Sequence, residues 1–174
     1  MGLRDDVSAG INVILHFLFL GGIAWATGQP FLFPSLGPSA YLMATGEQPR
    51  AEGAYHVIGG HAIATACGLA AYLLIADGLL VVDAFDQGEP FSPEVARLVI
   101  SAIVAMVLTT VGMLWTDTNH AAACATTLIV ALGLMSTLAE GIVIVAAVVL
   151  LVGFHDVIVE RIQTHYGLEP EDAR

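Results

Sequence analysis

The residues of this chain whose types and spacing could do chemistry are three histidines and two polar helix starts. His16, His61 and His120 each stand in an otherwise apolar stretch. An ionisable side chain in such a place is expensive and normally faces the interior of a bundle, so these three outrank His56, His155 and His165. The polar starts are Ser35-Leu36-Gly37-Pro38-Ser39-Ala40 and Thr116-Asp117-Thr118-Asn119-His120, each leading into a short apolar run. Backbone N–H groups at a helix start lack internal partners and carry the positive end of the helix dipole. Two such ends facing one cavity would hold an anion without any formal positive charge. Gly37 would let a ligand approach the backbone closely, Ser39 and Asn119 would donate hydrogen bonds, and His120 would serve as a donor or a proton-sensitive gate. A purely structural reading makes Gly37-Pro38-Ser39 a capped turn and Asp117 to Asn119 a cap at the membrane interface.

The elements that must position these groups follow from the distribution of charge. The 174 residues are 57% hydrophobic yet carry a formal net charge of −11. Both hold at once only if charge is segregated. Residues 7–46, 53–76, 98–116, 118–139 and 141–155 contain no Asp, Glu, Lys or Arg. About 20 apolar helical residues cross a bilayer core, so the chain reads as an all-α integral membrane protein and a single membrane domain over 1–174. Its four full transmembrane helices are expected over Val7–Ala26, Tyr55–Ile75, Pro93–Met113 and Leu138–Val159. Two short or broken intramembrane segments join them, for four to six crossings. Pro34 and Pro38 forbid one regular helix through Gln29–Gly46, which predicts an extended stretch from Pro30 to Leu36 and a short helix from Pro38 to Ala44. The second short helix is expected over His120–Leu134. Residues 7–76 form a first half, 77–94 an acidic linker, 95–160 a second half and 161–174 a cytoplasmic tail. The shared order of long, short and long segments suggests an internal repeat, although residue identity between the halves is negligible.

The five arginines, with no lysine, leave the crossing number open. Six crossings put Arg4, Arg50, Arg161 and Arg174 against Arg97; four put Arg4, Arg97, Arg161 and Arg174 against Arg50. Either way both termini are cytoplasmic under the positive-inside rule, in a multi-pass protein of the cell membrane. By length, the first short segment reads as a broken crossing. The apolar N-terminal run follows Asp5-Asp6 and is expected to be a retained helix rather than a signal peptide. The lysine-free, acid-rich exterior suggests a halophile's salty cytoplasm. It also speaks against nucleic-acid binding, since no basic patch exists to meet phosphates. Cys67 and Cys124 are read as packing residues. No HxxxH or HxxH pair points to a metal, no nucleophile–base pair or cofactor motif points to an enzyme, and no cofactor is expected. The small-residue faces at Gly21-Gly22, Gly59-Gly60 and Ala121–Ala125 suggest a homo-oligomer.

Four segments together resemble the HPP family of integral membrane proteins. They are Ser35-Leu36-Gly37-Pro38-Ser39-Ala40-Tyr41-Leu42, Gln48-Pro49-Arg50, Val57-Ile58-Gly59-Gly60-His61, and His120-Ala121-Ala122-Ala123-Cys124-Ala125-Thr126-Thr127-Leu128. They are similar, in order, to that family's Gly-Ala-Ser-Ala-like segment, Gln-Pro-Arg turn, Ile-Gly-Gly-His helix start and His-Pro-Pro-Ala-Gly-Ala-Thr signature. Ala121 and Ala122 replace the signature prolines, Cys124 replaces its glycine, and the spacing from Arg50 to Val57 is longer. Members are described as four-span proteins, some implicated in nitrite transport. The resemblance therefore implies a small-anion transporter or channel, with the lipid bilayer and a small inorganic anion as partners. The candidate substrate-binding set is Gly37, Ser39, Ala40, His61, Asn119, His120 and Thr126. The alternatives are a membrane-embedded enzyme using His61, His120 and Asp117, or a structural or regulatory membrane subunit.

Overall fold

The computed structural model describes residues 3–45, 53–86, 91–159 and 161. The expected turn at Gln48-Pro49-Arg50, linker residues 87–90 and the tail beyond residue 161 lie outside them. Among the described residues every regular element is helical. The elements are α1 (Leu3–Thr27), α2 (Leu36–Thr45), α3 (Ala54–Ala71), α4 (Val81–Asp86), α5 (Pro93–Thr116), α6 (Ala123–Ala131) and α7 (Leu138–Phe154). Helix α3 continues through a π turn, Tyr72–Ala76, and α7 through another, His155–Val159. Four helices are long and apolar enough to cross a membrane: Val7–Thr27, Ala54–Ala76, Pro93–Thr116 and Leu138–Ile158.

Local chemistry explains the boundaries. Ser92 accepts a hydrogen bond from the Val95 N–H at 3.2 Å, with Pro93 in the first turn of α5; proline suits that place because its missing N–H would be free anyway. Thr137 and Glu140 form a reciprocal capping box on α7. Asp117 ends α5 in the left-handed conformation. Helix α2 begins two residues earlier than expected, at Leu36, because Pro38 still falls in its first turn. Helix α6 is shorter than expected at both ends. His120–Ala122 forms turns, with Ala123 N–H bonded to the His120 carbonyl and Cys124 N–H to that of Ala121, and Gly133 at φ +85° lies just past its other end.

The long helices are inside out relative to a soluble bundle. On α5 the buried face is Leu98, Ser101, Ala105, Thr109 and Met113, whereas Ile100, Ile103, Val107, Val111 and Leu114 are exposed. On α1, Ser8, Asn12 and His16 point inward, while Ile11, Ile14 and Leu18 point outward. A helix that shows its most apolar face to the surroundings is solvated by lipid, so the bilayer contacts this surface directly.

Chain direction decides how often the bundle is traversed. Helices α3 and α5 are antiparallel: Tyr55 bonds the Thr116 carbonyl and Arg97 bonds that of Ile75. Helices α3 and α6 are parallel, with Gly60 beside Ala123 and Gly68 beside Val130. Helix α7 is antiparallel to α3, with Gly141 against Leu69 and Thr65. His16 and Phe19 of α1 meet His155 and Phe154 at the end of α7. Leu20 shares a buried cluster with Val148 and Leu151, and Leu32 doubles back beside Gly21. Helix α1 is therefore parallel to α3, and α5 to α7. The chain between two parallel helices must return through the bundle, so α2 and α6, with their irregular lead-ins, supply two further passes. Among the described residues six segments run along the bundle, four of them long and apolar enough to cross a membrane, and the second half runs opposite to the first, as in an inverted repeat. The third helix of each half ends in a π turn. The two tryptophans, 90% and 87% exposed, stand at opposite ends of the bundle, where interfacial aromatic belts lie.

Candidate functional site

The starts of the two short helices lie side by side, and a chain of hydrogen bonds joins them. Ser35, in the turn before α2, has Oγ 2.6 Å from Thr126 Oγ1 on α6. Thr126 Oγ1 is 2.7 Å from His61 Nδ1 on α3. His61 Nε2 is 3.0 Å from Ser39 Oγ on α2, which is also 3.0 Å from His120 Nε2 at the head of α6. The two imidazole centroids are 5.3 Å apart. Every member is at most 1% exposed.

Each group is held by an element with little freedom. Turn bonds from Leu36 N–H to the Phe33 carbonyl and from Gly37 N–H to that of Pro34 fix Ser35. Ser39 lies one helical turn on, its hydroxyl 3.3 Å from the Ser35 carbonyl. His61 sits in α3 next to Gly60, where a Cβ would meet His120 Cβ at 3.0 Å and the Thr118 carbonyl at 3.1 Å. Glycine is required there because the head of α6 packs directly on the α3 backbone. Thr65 donates to the His61 carbonyl at 2.8 Å and anchors the turn above it. A second hydroxyl pair, Thr127 to Thr109 at 2.9 Å, ties α6 to α5 outside this chain of bonds.

Of the residues expected to form the site, Ser39, His61, His120 and Thr126 are joined by these hydrogen bonds, and Ala40 is buried next to Ser39 in the main apolar cluster. Gly37 is half-buried, and a side chain there would meet only open space. Asn119 is exposed, so the hydrogen bond expected from it does not reach the buried cluster; its neighbour Thr118 is buried instead. The starts of α2 and α6 are brought together through Ser35, Ser39, His120 and Thr126, and not through Gly37 or Asn119. Ser35, outside the expected set, joins the cluster through Thr126; its position one turn before Ser39 on the same face is readable in the sequence. Asp117, needed by the enzymatic alternative, is exposed at the cap of α5, whereas both histidines are buried.

The cluster is chemically neutral ground: hydroxyls and imidazoles, with no carboxylate, ammonium or guanidinium on the charge-free stretches that build it. Among the described residues no group of three or more His, Cys, Asp or Glu side chains is placed to hold a metal ion. His16 has gone elsewhere. Its Nδ1 is 2.6 Å from the Asn12 carbonyl, and its ring stacks on His155 at 5.2 Å.

Comparison with known proteins agrees with this architecture. The family described as "HPP, transmembrane region" matches residues 2–167. No curated protein and no solved structure matches the chain.

Proposed function

This chain belongs to the HPP transmembrane family, and from that premise we propose that it is a small-anion transporter or channel, with nitrite as the substrate the family resemblance suggests. The observation that carries the reading is the sealed, uncharged polar cluster where the starts of α2 and α6 meet inside an apolar bundle. Polar groups buried in a membrane bundle mark a pathway more often than a stability device. Broken helices whose N-terminal ends meet between two inverted halves are the usual way to hold an anion without fixed charge. Hydroxyl and imidazole donors then set selectivity by hydrogen-bond geometry.

In the membrane, both termini and Arg50 would be cytoplasmic and Arg97 external, the six-pass solution to the arginine distribution. A homo-oligomer remains part of the reading. Gly59 and Gly60 are used inside the subunit, against Thr118, His120 and Ala123, so its interface would be on the exposed apolar faces of the long helices.

The test is flux through purified protein in liposomes, using nitrite, nitrate, formate and chloride. Uptake above protein-free vesicles, reduced by His120→Ala, is expected. Folded wild-type protein that passes none of these anions would overturn the reading.

A further inference from the structure

We infer that the five side chains Ser35, Thr126, His61, Ser39 and His120 form a proton relay, and that one proton accompanies each anion through the site. The inference rests on the anion reading given above and deepens it. Two observations carry it: the unbroken hydrogen-bond chain, with His61 bonded through both ring nitrogens, and the absence of Lys and Arg from the apolar stretches that build the cluster.

The relay has two complete orderings of the same donors and acceptors. In one, Ser35 O–H donates to Thr126 Oγ1, Thr126 O–H to His61 Nδ1, His61 Nε2–H to Ser39 Oγ, and Ser39 O–H to His120 Nε2. In the other every bond is reversed: His120 Nε2–H donates to Ser39 Oγ, Ser39 O–H to His61 Nε2, His61 Nδ1–H to Thr126 Oγ1, and Thr126 O–H to Ser35 Oγ. A proton delivered to Ser35 Oγ converts the first ordering into the second. Each hydroxyl gives up one proton and takes another, His61 gains one at Nδ1 and loses one at Nε2, and His120 ends with one more, at Nε2. Only O–H and N–H bonds form and break. The links of 2.6, 2.7, 3.0 and 3.0 Å are all within hydrogen-bond reach.

The lack of fixed charge favours the coupling, because a proton adds to what the helix ends and donors already supply. An anion in this bundle would lie among stretches 7–46, 53–76, 98–116, 118–139 and 141–155, which hold no Lys or Arg. An unpaired charge in such surroundings is expensive. The only groups there that can become cationic are histidines. From the elements packed around the relay, the turn before α2 contributes Ser35, α2 contributes Ser39, α6 contributes Thr126, α3 contributes His61, and the α5–α6 connection contributes His120. The nearest carboxylate in sequence, Asp117, is exposed at the cap of α5; α5 beyond Arg97 and α7 beyond Glu140 add no charged side chain within the bundle. An anion beside His120 and a proton on its ring stabilise one another, and by linkage each raises the occupancy of the other.

The experiment uses the full chain in liposomes with nitrate as probe, because a strong acid's anion does not leak through lipid as the neutral acid. Internal pH and nitrate are read together, with the membrane potential clamped by potassium and valinomycin. The expected result is that an inward proton gradient drives nitrate accumulation and that a nitrate gradient alone acidifies the lumen. Thr126→Val and Ser35→Ala should lose this coupling, Thr126→Ser should restore it, and Thr109→Val, which removes a buried hydroxyl outside the relay, should keep it. Nitrate flux indifferent to the proton gradient would overturn the relay and leave the permease standing. Proton flux without flux of any anion would keep the relay and remove the permease. Coupling intact in folded Thr126→Val and Ser35→Ala alike would overturn the relay.

Discussion

Two histidine pairs sit in this bundle, one fully buried and one with its second member half-buried, and they are built on opposite plans. His16 meets a partner on its own helix, the Asn12 carbonyl one turn back at 2.6 Å, and rests against His155, whose Nδ1 is 3.2 Å from its Nε2. Phe154 packs edge-on to His16 and Phe19 stacks on Phe154, so aromatic contact dominates, and Asn12 Nδ2 is left buried without a partner. His61 and His120 instead meet hydroxyls from α2 and α6 and are joined through Ser39. A helix can satisfy one buried imidazole locally through its own carbonyl. Joining four segments from both halves of the chain through one line of hydrogen bonds has no such local purpose. The difference separates a local packing solution from the candidate site.

The largest expected effect that would break this contrast is at His61. His61→Ala should remove anion flux and cost roughly 3 kcal/mol or more, since it opens a cavity and takes one hydrogen-bond partner from each of two buried hydroxyls; flux assays and unfolding in detergent read the two parts. His16→Ala should cost about 1–3 kcal/mol through lost packing but leave flux at the wild-type level. If His16→Ala abolished flux while His61→Ala did not, the assignment of roles would be reversed.

Close packing sharpens the contrast next. Gly60→Val should destabilise by about 1–3 kcal/mol, because the added atoms meet His120 and the Thr118 carbonyl. Gly37→Val faces open space, so expression and unfolding should be near wild type while anion flux falls. Equal stability loss at both glycines would contradict the difference in packing. Ser39→Ala should weaken anion binding by roughly 1 kcal/mol or somewhat more, the net worth of an ordinary hydrogen bond, measured as a shift in half-saturation. Smallest in function is Thr137→Ala, which removes the cap of α7 for about 1 kcal/mol of stability with no change in flux.

The short helices show where reading residues one after another stops. Pro34 and Pro38 announce that α2 is broken, and the extended lead-in with a short helix is what the bundle contains. Helix α6 lacks such a marker because Ala121 and Ala122 favour helix. In the folded bundle His120 packs on Gly60 and that stretch lies in turns before Ala123. Asn119 looked like a donor by type and position, but one residue decides which side of a turn faces inward, and Thr118 is the buried one. His155 ranked low because it lies near a helix end; the π turn after Phe154 brings it onto His16.

Charge segregation and helix-length apolar runs were sufficient by themselves to specify a multi-pass α-helical membrane protein, because a bilayer tolerates nothing else of that composition. They were also sufficient to name most of the cluster, since polar and ionisable side chains in such runs stand out against their surroundings. Chain direction was decided only in the folded bundle. Four and six crossings satisfy the arginines equally, and only the packing of parallel helices shows α2 and α6 running back along the bundle. The relay likewise depends on tertiary structure, because Ser35, Ser39, His61, His120 and Thr126 span 91 residues of separation between bonded partners, and hydrogen-bond geometry at that range is set by packing rather than by spacing along the chain.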